Sequence, residues 1–419
     1  MVAGASHYDN LHYDKLEIRA PSARRRAEAK ALARQVAHAK AKSPYYAALL
    51  RDVEPAAVNG RKALAALPVT RKSDLKQHQT AAPPFGGLQG WPIEQLAHIF
   101  QSPGPIYEMA AAVKDYWRFA RPLWAVGVRP GQILHNCFSY HLTPAGAMVE
   151  SGARAIGCPV VPGGTGNTEQ QLQAIAAVRP VAYAGTPSFL KILLEKGREA
   201  GIDTSSLKLA VVGGEALPPS LRQEINRLGV FVLQGYGTAD IGSIAYESRA
   251  MEGMIVDEGV LVEIVRPGSG DPVPDGEVGE VLVTTFNPVY PLLRFATGDL
   301  SAVLAGQSPC GRTNMRIKGW MGRADQTTKV KGMFVHPAQV AQVVARHREI
   351  LKARLVVDSH NNVDEMTLHC EVRAGGEALE AAIAGSLQAL CKVRGKVALV
   401  APGSLANDGK LIADIRTYE

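Results

Sequence analysis

Leu207-Lys208-Leu209-Ala210-Val211-Val212-Gly213-Gly214-Glu215-Ala216-Leu217-Pro218 is a short apolar run that enters a glycine pair, and residues 218–228 then carry apolar side chains at helical spacing behind a proline start. Strand, glycine turn and helix in that order make one unit of an α/β fold. The turn is a usual place for a ligand, because no Cβ keeps it away from the backbone. Toward the N-terminus, apolar runs at 132–138 and 158–162 alternate with helical stretches at 168–178 and 188–200, the pattern of parallel βαβ units. Toward the C-terminus, 260–265 and 278–285 have strand composition, and the Gly, Pro and Asp of 266–276 predict a hairpin-like loop between them, so this part reads as mixed or antiparallel.

At residue 322 the pattern resets. A charged, glycine-punctuated turn leads to a helix at 337–346, strands at 353–357 and 366–372, a helix at 378–392 and a strand at 397–400. The expected architecture is α/β: a large N-terminal domain with βαβ units and a mixed sheet over 1–322, and a small α+β C-terminal domain over 323–419 with its hinge at 322–325. Within the large domain, 1–60 reads as a helical cover. Its helices span 20–50 and break near Ser43-Pro44, where the proline disfavours helix at the residue before it.

A chain of 419 residues is too long for one ordinary core, and 46% hydrophobic with 20% charged residues is enough to build packed ones. The net charge of +7 raises the question of nucleic acid. Much of the excess falls at Arg19, Arg24, Arg25, Arg26, Lys30, Arg34, Lys40 and Lys42, interleaved with alanines, which reads as a solvated helical face. No nucleic-acid partner is expected. No apolar run approaches the ~18 residues of a membrane span, so a cytoplasmic protein without a membrane partner is expected. The five cysteines form no CxxC pair and are read as free thiols.

Five segments carry the chemistry. The first is the glycine turn quoted above. The second is Gln234-Gly235-Tyr236-Gly237-Thr238-Ala239-Asp240, and the third is Arg294-Phe295-Ala296-Thr297-Gly298-Asp299. The fourth is Gly322-Arg323-Ala324-Asp325-Gln326-Thr327-Thr328-Lys329-Val330-Lys331-Gly332, followed by Val335-His336-Pro337; the fifth is Pro402-Gly403-Ser404-Leu405 with Asp408-Gly409-Lys410. In this order they resemble the phenylacetate–CoA ligase family, within the adenylate-forming superfamily of acyl-CoA synthetases, luciferases and peptide synthetases. Gly185-Thr186-Pro187-Ser188 and Ser43-Pro44-Tyr45-Tyr46 resemble further family elements.

The resemblance implies ATP-dependent activation of a small carboxylic acid of aromatic type, phenylacetate-like or benzoate-like, to an acyl adenylate, and thioester formation with coenzyme A. It implies ATP, Mg²⁺ and coenzyme A as cofactors. No zinc is expected, since Cys310 stands alone where some relatives carry a cysteine cluster. By resemblance, Tyr236, Gly237 and Thr238 meet the adenine, Gly214, Glu215 and Ala216 line it, and Asp299 takes the ribose hydroxyls, for which a carboxylate has suitable acceptors. Arg323 contacts the nucleotide, Asp325 is the hinge pivot and Lys410 is the catalytic lysine. Asp240 holds the metal, although it is one methylene shorter than the family's glutamate and follows Ala239 in place of Ser or Thr. Tyr140, His141, Gly163, Gly164 and Gly214 are the expected acid-pocket residues, with a hydrogen-bonded structural role equally open for His141. A homodimer is compatible with the sequence.

One segment departs from the family. Where relatives carry a Ser/Thr/Gly-rich phosphate loop ending in lysine, this chain has Phe100-Gln101-Ser102-Pro103-Gly104-Pro105-Ile106-Tyr107-Glu108. Two prolines remove backbone donors and no lysine closes the loop. The sequence leaves several readings open: a rigid loop using Ser102 and Gly104, other groups at the phosphates, or loss of ATP use. It equally leaves open transfer of the acyl adenylate to an amine or a carrier-protein thiol, and a non-catalytic nucleotide-binding homologue.

Overall fold

The computed structural model describes residues 12–321, 324, 328–335, 337–360, 363–406 and 411–416. The chain divides into two compact units, one of residues 1–217 with 222–321, the other of 218–221 with 322–419.

The first unit is built on a nine-stranded sheet. Strands Val160–Pro162, Leu134–Asn136, Ala182–Gly185, Leu209–Val212 and Phe231–Thr238 lie side by side in parallel. Beyond Phe231–Thr238 the sheet turns antiparallel through Gly242–Glu247, Met254–Val256, Arg316–Ile317 and Val303–Leu304. The helices expected between the parallel strands are present at Thr168–Val178, Pro187–Glu199 and Pro219–Arg227, and a further one, Ala145–Ile156, links Leu134–Asn136 to Val160–Pro162. The central strands are buried on both faces, which is why they read as continuous apolar runs. A second sheet orders Thr70–Arg71, Phe295–Ser301, Gly279–Thr285 and Val260–Val265. Its last two strands pair antiparallel, joined by the expected hairpin loop.

The N-terminal cover forms two helices, Pro21–Lys42 and Pro44–Leu49, and the Ser43 hydroxyl between them caps the second by accepting from the Tyr46 amide at 3.3 Å. Leu32, Val36 and Ala39 enter the same apolar core as Val262, Val283 and Phe295. The basic run is not solvated throughout. Arg24 is buried and donates to Glu258 at 2.7 Å and Asn314 at 2.9 Å, and Arg19 donates to the other Glu258 oxygen at 2.6 Å. A buried carboxylate from a distant turn claims these two charges, because burial of an ion is tolerated only with partners.

The second unit has a four-stranded sheet in the order Lys396–Val400, Val363–Val372, Ile350–His360, Ile412–Asp414, with helices Pro337–Arg346 and Glu377–Cys391. Val340, Val343, Leu355, Leu368, Ile383 and Leu387 make its core. Among the described residues no helix is long and apolar enough to cross a membrane.

Candidate active site

In an open parallel sheet the carboxyl ends of the strands form the ligand crevice. Here four of the five such ends lead into an expected site segment: Leu134–Asn136 into Tyr140 and His141, Val160–Pro162 into Gly163 and Gly164, Leu209–Val212 into the glycine turn, and Phe231–Thr238 into Asp240; the fifth, Ala182–Gly185, leads into Thr186-Pro187-Ser188.

The glycine turn is fixed on both sides. Gly214 adopts a positive φ of 75°, and the Gly213 amide donates to the Gly185 carbonyl at 3.1 Å. The Glu215 carboxylate accepts from the Ser188 hydroxyl at 2.6 Å and its carbonyl from the Gln234 amide group at 3.1 Å. The Thr-Pro-Ser element and the glycine turn are therefore one assembly, with Ala216 following in the same turn.

Tyr236 lies on the nine-stranded sheet and Asp299 on the four-stranded one, and the Tyr236 hydroxyl donates to Asp299 Oδ2 at 2.9 Å. Trp320 Nε1 donates to Asp299 Oδ1 at 3.1 Å, so both carboxylate oxygens are oriented by donors from the fold. The Thr297 hydroxyl accepts from the Asp299 amide at 3.1 Å and donates to the Val281 carbonyl at 3.0 Å. Thr297-Gly298-Asp299 is thus strand, not turn. At Gly237 the strand register slips, and a Cβ there would stand 2.4 Å from the Gly242 carbonyl oxygen. Only glycine lets the two strands approach at that point. Thr238 next to it accepts from the Ile241 amide at 3.3 Å, shaping the turn that carries Asp240.

The segment expected as a phosphate loop is a β-hairpin: His98–Ser102 pairs antiparallel with Ile106–Ala110 around Pro103-Gly104-Pro105. Ser102 pairs with Ile106, so Ser102 and Glu108 are diagonal neighbours on one face. The Ser102 hydroxyl donates to Glu108 Oε1, and both residues are buried. Ser102 is therefore turned inward, while Gly104 sits at the exposed tip. Burial, with the nearby Asp240 charge second, pushes the Glu108 carboxyl up to about 8. Asp240 accepts from Lys72 Nζ at 2.6 Å through Oδ2. Its Oδ1 and Glu108 Oε2 are buried without a hydrogen-bond partner.

Gln101, Ser102, Pro103, Gly104 and Pro105 share an open cleft of about 470 Å³ with His141, Leu142 and Thr143. The Gln101 amide donates to the Leu142 carbonyl at 2.9 Å, which ties the two turns together. His141 is thus placed at the hairpin tip, exposed. Tyr140 faces the other way: its hydroxyl accepts from Asn136 Nδ2 at 2.8 Å and donates to Glu150 at 3.2 Å. Burial first, and the Glu150 charge second, raise its pKa. Gly163 closes on a buried polar pair, and a Cβ there would stand 2.7 Å from Gln171 Oε1, which His135 Nε2 meets at 2.7 Å. The Gly164 amide donates to the Asn136 carbonyl at 3.0 Å.

Gly322, Arg323, Asp325 and Lys410 lie outside the described residues. The chain approaching Lys410 is described to Ala406: the Leu405 amide donates to Glu371 at 2.8 Å, and Lys352 donates to the Ala406 carbonyl at 3.0 Å. Three residues at the site escaped the sequence reading: Lys72, Glu108 and Trp320. Glu108 had one available signal, as the sole charge in the strand Ile106–Ala110.

The model of the AMP-binding enzyme family matches residues 110–287, and that of the AMP-binding enzyme C-terminal domain matches 332–413. The chain is 34% identical to the phenylacetate–coenzyme A ligase of Thermus thermophilus, over 81% of this chain and 80% of that one. It is 30% identical to the phenylacetate–coenzyme A ligase of Escherichia coli K12, over 73% and 72%. Among solved structures, the 2-hydroxyisobutyryl-CoA ligase crystallised with 2-HIB-AMP and CoA shares its fold, at a TM-score of 0.83 and 24% identity over 100% of this chain and 94% of that one. With this sequence similarity along most of its length, and with both family models matched, the chain belongs to the phenylacetate–coenzyme A ligase family of AMP-binding enzymes.

Proposed function

We propose that the chain joins a small carboxylic acid of aromatic type to coenzyme A through an acyl adenylate made from ATP. The observation that carries this reading is the clasp of Tyr236 on Asp299, a tyrosine ring and a prearranged carboxylate beside the glycine turn, suited to adenine and a ribose diol. Gly214, Glu215, Ala216, Gly237 and Thr238 line the same nucleotide.

In the first step a carboxylate oxygen of the acid bonds to the α-phosphorus of ATP, and the bond to the β-phosphate oxygen breaks to release pyrophosphate. In the second, the CoA sulfur bonds to the acyl carbon, its proton is lost and AMP leaves. Both steps develop negative charge and call for neutralisation more than for acid–base chemistry. Lys410 takes that role between the acid and the α-phosphate, Arg323 contacts the nucleotide, and Asp325 is the pivot on which residues 323–419 turn against 1–322 between steps. Asp240 fits a metal through its one buried oxygen without a partner. Bound Mg²⁺ would screen the phosphate charge there. His141, Gly163, Gly164 and Gly214 border the acid, and Tyr140, held by Asn136 and Glu150, supports that wall from behind. The enzyme acts in the cytoplasm, and a homodimer is compatible with this reading.

An ATP–pyrophosphate exchange assay over aryl and arylacetic acids tests the first step, and CoA-dependent thioester formation the second. Exchange with at least one acid is expected. Measurable AMP binding without exchange for any acid would overturn the reading in favour of a nucleotide-binding homologue. Exchange without CoA thioester would redirect the acyl group to an amine or a carrier thiol.

A further inference from the structure

The stretch after strand Val160–Pro162 is Gly163-Gly164-Thr165-Gly166, with Gly164 and Gly166 at positive φ of 67° and 75°. Glycines supply no side chain to hold a loop in shape. The hold comes from one buried amide on the next helix, Gln171 of Thr168–Val178. Gln171 Nε2 donates to the Gly164 carbonyl at 3.0 Å and to the Gly166 carbonyl at 2.7 Å. Carbonyls only accept, so these two bonds fix which end of the amide is which. Oε1 therefore faces the other way, where it meets His135 Nε2 at 2.7 Å and the Cys137 thiol at 3.0 Å. Burial lowers the pKa of His135, and its neutral ring carries the proton on Nε2 to suit that acceptor. Both ends of the Gln171 amide are thus fully engaged, and any rotation of it would break bonds on both sides.

The same loop is tied to the residue that holds Tyr140. The Gly164 amide donates to the Asn136 carbonyl at 3.0 Å, and Asn136 Nδ2 donates to the Tyr140 hydroxyl at 2.8 Å. Gly164 therefore spends its N–H on the sheet and its C=O on Gln171. What remains on its other side is a bare Cα. A Cβ built on Gly164 or on Gly166 would meet no atom within 4 Å, whereas one on Gly163 would stand 2.7 Å from Gln171 Oε1. The loop is a wall of backbone, seated on the amide by one face and open on the other.

We propose that Gln171 is a positioning residue for the acid: by holding the Gly164 and Gly166 carbonyls it sets where the glycine wall stands, and so which length of aryl acid the pocket accepts. That Gly163 and Gly164 border the acid rests on the ligase reading; the hold of Gln171 on the loop does not. A backbone wall without side chains suits the flat outline of a ring. Its place decides between benzoate-like and phenylacetate-like acids, which differ by one methylene between ring and carboxylate, a difference worth about tenfold or more to a fitted pocket. A loop left unsupported loses that discrimination, because a wall about 1 Å out of place fits neither length well.

The test is calorimetric titration of the full-length chain with AMP, and then with benzoate and with phenylacetate at saturating AMP, with melting profiles and pyrophosphate exchange measured on the same preparations. Gln171→Met keeps the length of the side chain and removes both donors to the loop. It is expected to change the ratio of the two acid affinities at least about fivefold while AMP affinity stays within about twofold. A general loosening of the fold would weaken AMP as much as the acids. If Gln171→Met fails to fold, Gly164→Ala decides: its methyl group stands on the open face and is expected to weaken phenylacetate at least about fivefold more than benzoate. A folded variant whose ratio stays within about twofold of the wild type, a fall in AMP affinity as large as that of the acids, or a wild type that binds neither acid overturns the inference. The two readings fail separately. Exchange with an unmoved ratio leaves the ligase standing without this role for Gln171, and a shifted ratio with no exchange for any acid leaves the role of Gln171 standing without the ligase.

Discussion

The hydroxyl of Tyr236 donates a 2.9 Å hydrogen bond to Asp299, 63 residues further along the chain, and so clasps the nine-stranded sheet to the sheet of Phe295–Ser301 at the place where the nucleotide is proposed to lie. Trp320 holds the other oxygen of the same carboxylate. Tyr236→Phe removes one anchor on a charged acceptor while keeping the ring. AMP affinity is expected to fall about tenfold, worth about 1.4 kcal/mol. Calorimetric titration of AMP reads this directly, and an unchanged affinity would show that the hydroxyl does not orient Asp299.

Lys410 gives the sharpest separation of the two half-reactions. Lys410→Ala is expected to lower adenylation by at least about a hundredfold, the scale of removing one preorganised charge or donor from a transition state. Thioester formation from preformed acyl adenylate should be spared. Pyrophosphate exchange and CoA consumption measured on the same preparation check both halves, and an unaffected first step would remove Lys410 from its assigned role.

Arg294 belongs to the same motif as Asp299 but does different work. It is buried, and donates to Glu263 at 3.2 Å, to the carbonyls of Ala65 and Leu67 at 2.9 and 2.6 Å, and to that of Gly270 at 2.6 Å. Arg294→Met would strand a buried carboxylate and three carbonyls, at a cost of roughly 3–5 kcal/mol of stability. Thermal melting tests it; a midpoint within ~2 °C of the wild type would show that the pair carries little.

Asp257 predicts a pH dependence with a definite sign. Burial, only partly offset by Arg118 and then Arg121, raises its carboxyl to about 6. A carboxyl that holds its proton more tightly when folded adds stability that is complete below its unfolded pKa of about 4 and is lost as the pH rises through about 6. The swing is on the order of 2–3 kcal/mol. Asp257→Asn should therefore gain on the wild type in melting temperature between pH 4.5 and 6.5, then run parallel above. Parallel profiles over the whole range would contradict the buried, raised carboxyl.

Where local spacing decides structure, the sequence and the fold agree closely. The helix expected at 168–178 is Thr168–Val178, and the strand at 260–265 is Val260–Val265. The strand expected at 353–357 extends to Ile350–His360, because its ends alternate polar residues in a long antiparallel ladder, which composition alone reads as loop. The hairpin was hidden for a related reason: Pro103-Gly104-Pro105 reads as loop, and nothing local says that its flanks pair. Arg24 looked solvated because its partner Glu258 lies 234 residues away. Lys72 and Glu108 escaped for the same cause, since each becomes informative only beside Asp240 and Ser102.

The hairpin also alters what the site can tell apart. Within its turn, Gly104 alone retains an N–H, and on the flanking strands the Gln101 and Tyr107 amides are already given to the Leu142 carbonyl and the Gln79 side chain. A cradle of amides recognises a phosphate chain by shape, through several donors converging on one anion. A point charge such as the Lys72 ammonium recognises only its charge. On the proposed reading the length of the polyphosphate tail becomes the least inspected part of the nucleotide, and selectivity moves to the base and sugar held at the other end.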